Sequence, residues 1–204
     1  MAQDINDGKV FCFIGYDIRE VTDVRAIPRE VGYHGTCVLS ADLTVCERYS
    51  GVTDWDWSAC GKTKNARGMF LRLDTAQEVF RTIDEADRSR YRVLGYSVEE
   101  DEVLSRYTTE QAAKLGIELQ YNAVLAAGFE ARGFDVATVR YRWISCLTNC
   151  GVDMASVPLD AGEDLGEGYL LKQYRHGAKL RDYANQEIPE HAPFIVWKVF
   201  SCSE

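Results

Sequence analysis

Between residues 67 and 99 the hydrophobic period changes twice, and this restricts the folds open to the chain. "RGMFLRL" (67–73) reads as a strand. In "DTAQEVFRTIDEA" (74–86), Ala76, Val79, Phe80 and Ile83 recur at i, i+3, i+4 and i+7, the spacing of one helical face, with Asp74 as the expected N-cap. "RYRVLGYSVE" (90–99) returns to a strand. A helix set between two strands, with an apolar stripe to bury, calls for a sheet with a helix lying on it.

The rest of the chain adds strands without a regular alternation. "KVFCFIG" (9–15) is an apolar run ending at glycine, expected to be a buried strand leading into a turn. "TCVLSADLTVCERY" (36–49) reads as one bent strand or two, and the turn-rich stretch 51–66 as a loop. Residues 108–132 predict two helices, each closing on a glycine. "DVATVRYRWISCL" (135–147) predicts the longest strand, 169–188 a helix with a glycine break, and "PFIVWKVFS" (193–201) a closing strand. Strands and helices in this order predict an α+β fold, a small mixed β-barrel of five to six strands with helices to one side. No repeat or linker divides the chain, so 1–204 is expected to be a single domain.

Composition narrows the function classes. A hydrophobic content of 46% without any apolar run of membrane-spanning length predicts no membrane partner. The N-terminus is acidic before it is apolar and lacks the pattern of a secretory signal, so a cytoplasmic location is expected. Seven scattered cysteines fit reduced thiols better than a disulfide framework. A net charge of −9 disfavours nucleic acid, whose phosphates are bound by Lys and Arg. The oligomeric state is not legible.

Several short motifs resemble chemical signatures. "CGKTK" (60–64) ends like a phosphate loop, but Asp56 stands where the first glycine belongs. Cys146 and Cys150 lack a second pair at zinc spacing and read as structural thiols. His34 reads as a turn, His176 and His191 as exposed, and Trp55 and Trp57 as loop anchors. Three acids crowd into "TIDEADRSRYR" (82–92): Asp84, Glu85 and Asp87. Clustered acids at a helix end are by default a solvated face.

Four pieces taken together give that cluster another meaning. "FCFIGYD" (11–17), "NARGMFLRL" (65–73), "IDEAD" (83–87) followed by Tyr91, and "YLLKQYRHGAKLRDYANQEI" (169–188) come in an order that resembles the γ-glutamyl cyclotransferase superfamily (AIG2-like). The last piece matches best, at Tyr169, Gly177, Ala178, Tyr183 and Ile188. The resemblance implies a cofactor-free enzyme in which the amine of a γ-glutamyl compound attacks its own side-chain carbonyl, giving 5-oxoproline and a released amine. It implies Asp87 as the general acid/base, with Glu85 as the fallback. It also implies Ile14, Gly15, Tyr16, Asp17 and Tyr91 as substrate-binding residues.

The chain departs from the family pattern at each of these places. Asp87 stands where the family has glutamate, one C–C bond (about 1.5 Å) shorter in a geometry that tolerates little displacement. Asp17 would repel a substrate carboxylate, and residues about 100–134 form an insertion with two expected helices. These departures raise an alternative: a cyclotransferase-like fold with an altered site that serves as a binding or interaction module. Amide transfer or hydrolysis on a related metabolite stands beside it.

Overall fold

A computed structural model of the chain describes residues 4–20, 69–89, 91–100, 123–138, 146, 164–166, 170–189 and 192–202. The expectations for 36–66, for the first middle helix, and for His34, Trp55, Trp57, Cys150 and His191 lie outside them. Four strands, β1 (Phe11–Glu20), β2 (Tyr91–Glu99), β3 (Phe129–Thr138) and β4 (Phe194–Cys202), form one sheet in the order β1-β2-β4-β3, with every neighbouring pair antiparallel. Three helices accompany it: α1 (Leu73–Arg81), α2 (Glu85–Arg88) and α3 (Tyr174–Glu187). The fold is α+β, and these four strands do not close into a barrel. Isolated bridges extend both ends of the order, Phe70 on Tyr16 of β1 and Leu171 on Phe134 of β3.

Both helices of any length lie on one face of the sheet, because their apolar stripes need the side chains that the pleat sends that way. α3 sets Tyr174, Leu180 and Ala184 against Phe134, Val136, Phe194 and Val196. Gly177 lets α3 approach β4 closely: a Cβ there would sit 2.8 Å from a methyl of Val196. α1 sets Ala76 and Val79, with Ile83 just past its end, against Tyr16, Ile18 and Tyr91. The opposite face is buried too, around Ile14, Tyr96, Val98, Trp197 and Val199.

Four expectations are corrected by this architecture. β1 does not turn at Gly15; it runs on to Glu20 because Tyr16 and Ile18 still have a core to enter and β2 still has backbone groups to pair. The glycine instead falls where the register slips between Phe13 and Gly15, a usual place for glycine inside a strand. The second middle helix gives way to an irregular segment at 123–126, a turn, and β3, which begins six residues before the expected strand. α3 passes through Gly177 unbroken.

The fourth concerns Asp74, which is the second residue of α1 and not its cap. Arg72, still extended at φ −123° and ψ 139°, occupies the cap position. α1 also stops at Arg81, where the Arg88 guanidinium donates to the carbonyls of Arg81 and Ile83, both at 3.0 Å. Among the described residues no helix is long and apolar enough to cross a membrane.

Candidate functional site

The residues singled out by the resemblance are distributed over two faces and the rim of the sheet. The pleat sends Tyr16 toward α1 and Asp17 to the opposite face, since successive side chains of a strand alternate. Ile14 lies with Tyr96 and Trp197 in the core of that opposite face. Gly15 is buried within the β1–β2 ladder, opposite Tyr96. Tyr91, at the start of β2, shares with Tyr16 the core cluster beneath α1. Asp87 and Glu85 are exposed on α2, a single helical turn whose Asp87 and Arg88 N–H groups donate to the Asp84 carbonyl at 2.9 Å.

Asp17 is engaged internally. Its carboxylate accepts the N–H of Ile18 at 2.9 Å and meets the buried Arg19 guanidinium at 2.6 Å. Arg19 in turn lies over the ring of Tyr96, 5.6 Å from its centroid. Asp135 is buried on the same face. Burial pushes the Tyr96 phenol far above its ordinary range, with Arg19 opposing that shift and the carboxylates of Asp17 and Asp135 adding to it. The acid that looked hostile to a substrate carboxylate is therefore half-buried and paired with the buried Arg19, on the face turned away from α1.

Tyr16 is the residue of the group that reaches a cavity. Its backbone exchanges hydrogen bonds with Phe70, N–H to O at 2.7 Å and O to N–H at 2.8 Å, and this bridge carries the chain into the start of α1. Its ring stacks edge-on against Phe13 and Phe129, with centroids 5.0 and 5.4 Å away. Its hydroxyl donates to the Val124 carbonyl at 2.7 Å and accepts the Ala126 N–H at 2.6 Å, so it pins the 123–126 segment beside α1. Between these parts lies an open cleft of about 360 Å³ lined by Tyr16, Leu71, Arg72, Leu73, Asp74, Val124 and Ala126. That is the lower end of the volumes taken by small-molecule sites.

The polar groups of the cleft favour holding a ligand over moving its protons. The Arg72 guanidinium donates to Asp74 through two nitrogens, one of them at 3.0 Å. That hydrogen bond, followed by the N–H of Thr75, lowers the Asp74 carboxyl to about 2. A carboxylate so readily ionised is a poor proton acceptor near neutral pH, where catalysis favours a base whose pKa is close to the working pH. The Tyr16 hydroxyl has committed its proton to one backbone group and a lone pair to another, and burial raises its pKa above the ordinary value. Arg72 and Asp74 form an ion pair at the mouth of the cleft, with side chains 76% and 56% exposed, and an exposed pair of this kind is weak enough for a ligand with charges of its own to replace.

Asp87 does not line this cleft. Sequence reasoning passed over Arg72 and assigned Asp74 to helix capping; the signal was the Arg-Leu-Asp spacing of 72–74, which places a cation two residues before an acid at a strand-to-helix junction. His176, expected to be exposed, has a side chain only 13% exposed, with Nε2 3.1 Å from Asp164. Cys146 is buried beside Phe134 and Val136. No family model matches the chain, and no match was found among curated proteins or solved structures.

Proposed function

We propose that the chain is a cyclotransferase-like protein with an altered site, a binding module that takes a small amino-acid-type compound in the Tyr16 cleft. The observation that carries this reading is the lining of the cleft: it gathers Tyr16, Arg72 and Asp74 and leaves Asp87 outside. Arg72 would take the carboxylate of the ligand and Asp74 its ammonium, while Leu71, Leu73 and Val124 meet the aliphatic part. The insertion at about 100–134 contributes to the site through Val124 and Ala126. A small barrel closed by one or two further strands and a cytoplasmic location belong to the same proposal.

The second reading is the enzyme itself, in which Asp87 transfers the proton as a γ-glutamyl amine cyclises to 5-oxoproline. It is favoured by the position of Tyr16 at the cleft and of Tyr91 in the same cluster. One experiment separates the two. A panel of γ-glutamyl compounds and free amino acids is titrated by calorimetry against the protein, its Arg72→Met variant and its Asp87→Asn variant, with mass spectrometry of the products. Binding that Arg72→Met weakens, without 5-oxoproline, supports the module. Release of 5-oxoproline that Asp87→Asn abolishes supports the enzyme, and no binding by any member of the panel overturns both.

A further inference from the structure

Away from the cleft, one lysine is held unlike an ordinary surface lysine. Lys198 sits in β4 on the face that carries α3, directly opposite Ser97 of β2 on one side and Phe134 of β3 on the other. Its Nζ lies 5.6 Å from the ring centroid of Phe11 and 5.3 Å from that of Phe200. The polar partner is neutral: Nζ donates to the side-chain carbonyl of Asn6 at 2.8 Å. Among the described residues no carboxylate lies within ion-pair distance of it, whereas Lys9, nearby, is paired with Glu99 at 2.6 Å.

An ammonium is strongly hydrated, and lysines withdrawn from water are normally paired with an acid. Lys198 has exchanged much of its water for two phenyl faces and one amide oxygen. We propose that Lys198 is a reactive amine, a site that condenses with small uncharged aldehydes or ketones. Its lone pair attacks the carbonyl carbon and forms the C–N bond while the π pair moves to oxygen. The carbinolamine then expels that oxygen as water, which carries away both amine hydrogens and leaves an imine. The rings of Phe11 and Phe200 give the nitrogen apolar neighbours, which suit an uncharged carbonyl compound, and the neighbouring Asp4 carboxylate disfavours an anionic one. Burial lowers the Lys198 pKa, with Asp4 opposing the shift, so the free amine is more available near neutral pH than on a solvated lysine.

The test exposes the protein to benzaldehyde with cyanoborohydride at pH 7 and follows the benzylated lysines by peptide mass spectrometry. Lys198 is expected to gain its adduct severalfold faster than the exposed Lys172 and Lys179, and Lys198→Arg to remove that fast phase. Asn6→Asp, which sets a carboxylate where the neutral oxygen stands, is expected to slow Lys198 to the rate of the others. Raising the pH toward 10 should erase the preference in the unaltered protein. Equal rates for the three lysines at pH 7, or a Lys198 rate unchanged in Asn6→Asp, would overturn the proposal.

Discussion

Replacing Gly177 by alanine tests how α3 is seated on the sheet. In a helix interior the change should help, since alanine exceeds glycine in helix propensity by about 1 kcal/mol. Here the new Cβ would stand 2.8 Å from Cγ1 and 3.4 Å from Cγ2 of Val196, a residue with no exposure. Rotation of the valine about χ1 could put its hydrogen where Cγ1 stands. It would also swing a methyl into another part of a close-packed core and leave the second methyl at 3.4 Å, so relief comes only if the core, the helix or the strand yields. Overpacking of this kind costs about 1 to 3 kcal/mol, and with two methyls in the way the upper part of that range applies. After subtracting the propensity gain, Gly177→Ala should destabilise by about 1 to 2 kcal/mol. That corresponds to a fall of about 2 to 8 °C in Tm for a chain of this size.

Urea denaturation of the wild type, Gly177→Ala, Val196→Ala and the double variant supplies the full cycle. Because the alanine methyl would enter the space vacated by the valine, the double variant should be more stable than additivity predicts by about 1 kcal/mol. An unchanged m-value would place the effect in the folded state. If Gly177→Ala stabilises the protein, or if the two changes are additive, the close contact between α3 and Val196 is wrong.

Two further outcomes follow from the buried polar groups. Burial raises the pKa of both Tyr96 and Tyr16 above the ordinary value of 10.0, so each phenol stays protonated in the fold while the unfolded chain ionises. Their contribution is complete below pH 10 and declines as the pH rises above it, by at most about 1.4 kcal/mol per pH unit for each tyrosine. Tyr96→Phe should make the loss between pH 9 and 11 shallower in urea titrations; an equally steep loss would assign the alkaline sensitivity elsewhere. The Asp7 carboxylate caps α3 from far along the chain, accepting the Arg175 N–H at 2.8 Å and its guanidinium at 3.1 Å, while Gln173 at the cap position contributes no side-chain bond. Asp7→Ala should cost about 1 to 2 kcal/mol, since it removes a cap and puts alanine at a residue with φ of 52°. Asp7→Asn, which keeps an acceptor and tolerates that backbone, should cost less, and hydrogen exchange at the first turn of α3 would reveal any reversal of that order.

What the sequence disclosed depended on whether one side of a segment was apolar. The stripe begun by Ala76 and Val79 announced α1 because a helix on a sheet buries one side only, although Ile83, the next member of the stripe, falls beyond its end. β4 was legible as a near-continuous apolar run, and β2 as a stretch rich in Tyr, Val and Leu. The boundaries failed where tertiary pairing outweighed local preference: Gly15 looked like a stop, yet the ladder with β2 carried β1 five residues further. At 129–134, "FEARGF" carried helix-forming Glu, Ala and Arg, but pairing with β4 made it a strand, with a slip of register between Ala131 and Gly133. Gly133 adopts φ of 149°, and a Cβ there would lie 2.6 Å from the Leu171 carbonyl oxygen, a constraint invisible to propensity.

Alternation along β1 sets Asp17, which the resemblance implies as a substrate contact, on the face away from the cleft. "YDIRE" alternates Tyr16 and Ile18 with Asp17 and Arg19, the pattern of a strand with one wet face. The structure covers both faces, so the polar residues are enclosed and must satisfy one another. Removing one partner from such a set leaves an uncompensated charge in a poorly solvated place, which costs more than the pair itself contributes. Asp17 is thereby tied to Arg19 and Tyr96 by the needs of burial, and a ligand would have to displace the guanidinium to reach it. Tyr16, one residue earlier and on the other face, carries no such obligation to charge; almost wholly buried, it still lines the cleft beside α1. The alternation of a single strand separates the residue tied into an internal ion pair from the residue that lines the cleft.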